Sequence, residues 1–85
     1  MTRPPPEEIA AAILRVAGER GPRKTICPSE VARALGGEEW RPLMTPVRNA
    51  AVALAREGRL EVLRKGKPAE LDPLRGVIRL RIVPG

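Results

Sequence analysis

The sequence predicts an α+β domain in which three short helices precede a two-stranded antiparallel hairpin. Three observations carry this. Apolar residues recur at helical spacing in three separate stretches before residue 58. Beyond that point the pattern changes to strict alternation, the mark of a half-buried strand. Prolines stand at the starts of the helical stretches and glycines at their ends, where each residue does least harm to helical hydrogen bonding.

Residues 1–6 read as a flexible tail, because Pro4, Pro5 and Pro6 are stiff and cannot donate backbone hydrogen bonds. Residues 7–83 read as a single domain without repeat or linker. Glu7 and Glu8 suit a helix N-terminus, where the macrodipole favours negative charge. Ile9, Ala10, Ile13, Leu14 and Ala17 then form the inner face of a first helix that ends within Gly18 to Gly21. Thr25-Ile26 reads as a very short strand. Cys27 as cap, Pro28 at the first position and Glu30 at the third open a second helix, with Val31, Ala34 and Leu35 inward and Gly36-Gly37 as its stop. Glu38 to Met44 reads as a turn, and Trp40, the one large aromatic, as a plug in the centre of the core.

The third helix is expected to start with Thr45 as N-cap and Pro46 at the first position, and to run to Glu57 with Gly58 as its left-handed terminator. Leu43, Val47, Ala50, Ala51 and Leu54 make its inner stripe. At 100° per residue, Thr45, Arg48, Asn49, Val52 and Arg56 share the outer face, which holds no acidic residue. Leu60 to Arg64 and Val77 to Ile82 read as the two strands, with Ile78, Leu80 and Ile82 inward and Arg79 and Arg81 outward. Glu61 is expected to pair across the strands. The intervening KGKPAELDPLRG is too long for a tight turn and too rich in proline and glycine for a helix. Helix, short strand, helix, helix, strand, long loop, strand is the order of a winged helix-turn-helix, with residues 65–76 as the wing.

The segments TICPSEVARAL, W..LM, VR..A...A.EGRL, KGKP and RG.IRL resemble a small bacterial winged-helix family of unknown biochemical function, over residues 9–82. The run Cys27-Pro28-Ser29-Glu30-Val31-Ala32, together with Trp40, Met44, Val47 and Arg48, carries most of that resemblance. It implies a fold, and through the fold a role in DNA binding, but no activity.

Charge sharpens the expectation. Of the net +6, residues 1–40 contribute nothing, with six basic and six acidic side chains, while residues 41–85 hold ten basic and four acidic. A bias toward arginine in a GC-rich genome accounts for 13 arginines against 3 lysines, but not for their concentration in one half. The asymmetry favours a polyanionic partner. Arg48 and Asn49 are the expected base readers, since Arg matches guanine and Asn adenine; Thr45 and Val52 lie beside them. Arg41, Arg56, Arg64, Lys65, Lys67, Arg75 and Ser29 are the expected phosphate and wing contacts. Arg48 also admits a structural role, as a bridge to Glu30 or Glu38.

Other classes find little support. With no His and no Tyr, catalysis near neutral pH would need a strongly shifted carboxylate or lysine, so an enzyme is not expected. One cysteine without histidine is a poor metal site and allows no internal disulfide. Neither GxxxxGK[ST] nor GxGxxG occurs, so no nucleotide cofactor is expected. The absence of a long apolar run and of a signal-like N-terminus points to a cytoplasmic protein without membrane contact. Double-stranded DNA is the expected partner. A protein-interaction module or an RNA- or ribosome-associated binder are the alternatives, and a homodimer is compatible with the exposed first helix or an edge strand.

Overall fold

The computed structural model describes residues 3–84. Among them are three α-helices, α1 (Pro6–Arg20), α2 (Pro28–Gly36) and α3 (Met44–Arg56), followed by β1 (Leu60–Arg64), β2 (Lys67–Pro68) and β3 (Arg79–Ile82). The α+β class and the winged-helix-like order are as the sequence predicts. The tail is one residue shorter than expected, because Pro6 already occupies the first helical position, where its missing N–H costs nothing. Residues 1–2 of that tail lie outside the described residues.

Each helix buries a narrow aliphatic stripe. Ile9, Ala12, Ile13 and Ala17 of α1 meet Val31 and Ala32 of α2 and Val47, Ala51 and Leu54 of α3. One inner-face assignment is corrected: Ala34 is exposed and Ala32 is buried instead, while in α1 Ala12 joins the buried face, with Ala10 and Leu14 half-buried against it. α2 has only nine residues and is followed by two turns of 3-10 helix; it packs through Pro28, Val31 and Ala32, with Leu35 half-buried beside them. Among the described residues no polar side chain is buried in the core.

Trp40 is not the central plug. It is half-buried at the rim, with the Arg33 guanidinium 4.5 Å from its ring centroid and that of Arg41 4.8 Å away. The core is filled instead by branched aliphatics, led by Ile9, Ile13, Ile26, Ile78 and Leu80. A flat indole would leave gaps among such short partners, while its faces attract guanidinium groups.

Thr45 is not the N-cap of α3. The 3-10 turn Arg41–Leu43 runs directly into the helix, so Leu43 takes the cap position and Pro46 falls at the third residue, still within the turn whose N–H groups lack helical acceptors. The C-terminus is as expected. Gly58 is left-handed (φ 77°) and donates to the Ala55 carbonyl, while Arg59 N–H donates to Leu54. That pair of bonds is the Schellman arrangement, and it turns the chain sharply into β1.

The sheet is three-stranded, in order β2-β1-β3, rather than a two-stranded hairpin. β1 and β3 are antiparallel, with Glu61 opposite Arg81 and Val62 opposite Leu80. The expected strand at Thr25-Ile26 is a single bridge, in which Ile26 exchanges two 2.8 Å hydrogen bonds with Leu80. β3 begins two residues later than predicted, since Val77 is 80% exposed and only from Ile78 does the inward alternation hold. β2 arises because Lys65 and Gly66 both have positive φ (54° and 79°), a type I′ turn that folds Lys67-Pro68 back on Leu63-Arg64. With a lysine and a proline on this outer strand, the sheet edge is poorly suited to pairing with another chain.

Candidate nucleic-acid interface

The inner stripe of α3 fixes its outer face. Because Val47, Ala51 and Leu54 are clamped in the core, Thr45, Asn49 and Arg56 are turned fully outward, with Arg48 and Val52 half-buried beside them. All five line one open groove of about 490 Å³, whose other side is formed by Leu71, Asp72 and Leu74. The residues expected to read bases are therefore brought together. The groove presents two guanidinium groups, an amide and a hydroxyl, with one carboxylate facing them from the wing.

Arg48 bonds to neither Glu30 nor Glu38. Its Nη1 donates to the carbonyl of Gly76 at 3.1 Å, tying α3 to the far end of the wing. The Arg64 guanidinium, from β1, lies beside the same residue, and a side chain on Gly76 would begin 3.0 Å from Arg64 Nε. Gly76, with φ 73°, is thus the joint where a cation of α3 meets a cation of the sheet. From Arg64 the basic surface continues along the β1–β2 turn through Lys65 and Lys67, which share a second open groove with Glu70. Arg75 is exposed next to Gly76.

Two expected contacts, Arg41 and Ser29, have other local occupations, and so has Arg79 on the outer face of the sheet. Arg41 lies over Trp40. Ser29 is half-buried and donates its hydroxyl to Cys27 Sγ at 3.1 Å. Arg79 is held by Thr25, through Oγ1 at 3.0 Å and the carbonyl at 3.2 Å, so it braces β3 against the short bridge strand.

The acidic residues divide by what they hold. Glu30 accepts the Cys27 backbone N–H at 2.8 Å and pairs with Arg20, joining the end of α1 to the start of α2. The Cys27 hydrogen bond, and then the Arg20 charge, keep its carboxyl below the usual carboxylate range despite partial burial. Glu61 is likewise held low by the hydrogen bond from Arg81, which in turn raises the arginine. That pair is bidentate, at 3.0 and 3.1 Å, as cross-strand register requires. These pairs, with Arg59–Glu57, consume Arg20, Arg59 and Arg81. Among the described residues, the exposed cations Arg41, Arg56, Arg64, Lys65, Lys67 and Arg75 make no ion pair. Also among the described residues, no three His, Cys, Asp or Glu side chains are grouped to hold a metal ion, and no helix is long and apolar enough to cross a membrane.

Sequence reasoning missed the wing's contribution to the groove. Leu71 and Leu74 are half-buried against the domain, and their apolar pair three residues apart in an otherwise polar loop was the available signal. It also missed Arg33, whose place over Trp40 depends on a tertiary turn that no spacing encodes.

No curated protein matches the chain. A family described as "Protein of unknown function (DUF3253)" matches residues 6–83, from the first residue of α1 to just beyond β3. The match takes in every helix and strand described above, and the chain belongs to that family.

Proposed function

We propose that the protein binds duplex DNA, with α3 entering the major groove and the β1–β2 turn following the phosphates, and that it acts as a small transcriptional regulator. One observation carries this reading: Thr45, Asn49 and Arg56 stand exposed together on the outer face of α3, a helix that carries no carboxylate. A 13-residue helix is about 20 Å long and 10–12 Å wide with its side chains, which matches the roughly 12 Å width of the major groove. Asn49 and Arg56 face outward from it, and Arg48 keeps further N–H donors beyond the one given to Gly76. Arg64, Lys65 and Lys67 supply sequence-independent phosphate contacts. A DNA-binding role places the protein in the cytoplasm. Its single recognition helix suits a homodimer reading two half-sites, with α1 rather than the β2 edge as the meeting surface.

Fluorescence anisotropy with a labelled random 20-bp duplex, repeated across a salt series, tests the reading. Micromolar binding that weakens steeply with salt is the expected result, because each neutralised phosphate releases counterions. Asn49→Ala and Arg56→Ala should each weaken binding. An absence of binding at low salt refutes the reading. Tighter binding to single-stranded or duplex RNA than to duplex DNA refutes it in favour of an RNA partner.

A further inference from the structure

The segment 69–76 lies where DNA would have to go. Leu71, Asp72 and Leu74 face Arg48, Asn49 and Arg56 across the groove, and Gly76 occupies one of the Arg48 donors. α3 alone fills a major groove of about 12 Å, and a second chain segment alongside adds about 5 Å, the spacing of adjacent extended strands. Helix and segment cannot enter together.

The segment is also lightly held. After Ala69, which donates to Val62 at 2.8 Å, no backbone–backbone hydrogen bond ties residues 70–78 to the helices or the sheet among the described residues. What remains is the half-burial of Leu71 and Leu74, the Arg48 bond to Gly76, and Ile78, which is buried just before β3. A stretch with so few backbone bonds opens locally at little cost. Its exposed residues include two carboxylates, Glu70 and Asp72, against one cation, Arg75; the carboxylate that faces α3 across the groove is Asp72, and its charge matches that of the phosphates it would keep away.

We propose that residues 69–76 form an acidic strap that competes with DNA for the outer face of α3 and must lift for Arg48 to reach a base. The inference rests on the DNA-binding reading. Thr45, Asn49 and Arg56 remain exposed with the strap in place and make the first contacts, while Arg48 and Val52 are released only when it opens. The free protein is therefore a weaker binder than its surface charge implies.

The test compares wild type with Asp72→Asn and with Leu71→Ser/Leu74→Ser, using the labelled random duplex at 50 mM salt, with each variant's fold checked by circular dichroism. Asp72→Asn is exposed and leaves packing intact; it should bind about fivefold tighter, the scale of one surface charge contact, and lose that advantage at high salt. The leucine variant should bind tighter still, and its advantage over wild type should persist at high salt. If it does not fold, amide relaxation of wild-type residues 70–76 decides, since adding duplex should make them more mobile. Equal or weaker binding by Asp72→Asn, with unchanged mobility of the segment on wild-type DNA binding, overturns the strap while leaving the DNA reading intact. Failure of wild type and Asp72→Asn alike to bind at low salt overturns the DNA reading beneath it.

Discussion

Removing the two lysine charges of the β1–β2 turn should change the salt dependence of DNA binding by an amount the structure fixes beforehand. After Trp40, seven exposed cations make no ion pair among the described residues, and one of them, Arg79, is held by Thr25, which leaves six for phosphates. If each neutralises one phosphate, the slope of log K against log salt is about −5.4, and affinity falls about a thousandfold between 50 and 200 mM salt. The substitutions must respect the backbone. Lys65 has φ 54°, which asparagine tolerates better than alanine, so the suitable double variant is Lys65→Asn/Lys67→Gln. Its slope should be about −3.6, so the affinity gap between wild type and variant shrinks about twelvefold over the same salt range. Anisotropy titrations at four salt concentrations measure both slopes. Arg15→Gln, exposed on α1, serves as the control and should leave the slope unchanged. Equal slopes for wild type and the turn variant would refute the placement of the turn on the phosphates, whatever the absolute affinities.

Three further expectations concern the frame that carries this surface. Leu80→Ala, at a fully buried residue of the central β-pairing, should cost about 3 kcal/mol and lower the Tm by about 12–24 °C in a thermal melt, bringing a domain this small close to unfolding. Gly58→Ala should cost about 1 kcal/mol in the same assay, because φ 77° is unfavourable for a residue with a Cβ. Glu30→Gln keeps an acceptor for Cys27 N–H but loses the charge at the start of α2; since the Glu30 side chain is 34% exposed and its pair with Arg20 is screened, the loss should be about 1 kcal/mol near neutral pH. The folded state holds the Glu30 carboxyl below its ordinary value, so this contribution is present above the ordinary carboxylate range and disappears as pH falls through the lowered folded value. Melts of wild type and Glu30→Gln should therefore converge in acid, and a gap that persisted there would show that packing, not charge, is what the substitution disturbs.

The parts of the fold that were legible in the sequence are those in which one local rule decides. Val47, Ala51 and Leu54 point α3 inward, Gly58 ends it, and the alternation of Ile78 and Leu80 orients β3. Glu61 and Arg81 meet because strand register alone brings them opposite. The capping residue of α3 was misplaced because Thr45-Pro46 satisfies a helix-start rule by itself, while the preceding Arg41–Leu43 turn, stabilised by the Leu43 N–H bond to Trp40, supplies a start two residues earlier. Trp40 was misplaced for a related reason. Size argues for the core, but the two guanidinium groups that flank the ring come from α2 and from the following turn, and only the tertiary path places them there.

The wing shows where such rules stop. Lys65-Gly66 carries a readable turn signal, and the two-residue strand after it could have been anticipated from the left-handed tolerance of glycine alone. The following residues, Ala69 to Val77, obey no period, and no backbone–backbone bonds fix Glu70 to Val77 to the helices or the sheet among the described residues. Their path is chosen by two half-buried leucines and by Arg48, a residue whose sequence position suggested a base reader. The two roles of Arg48 are not rivals in physical terms. An arginine that bonds a carbonyl of a weakly held segment is already desolvated on one side and already aimed along the face that DNA would meet. On the DNA reading, the bond released, about 1.5–3 kcal/mol for a charged donor, is of the same size as the discrimination a bidentate contact with guanine would supply, about 1–3 kcal/mol. On that reading the same side chain would hold the strap in the free protein and report the sequence in the complex, and the near-equality of the two energies would set how far affinity for a matched site exceeds affinity for random duplex.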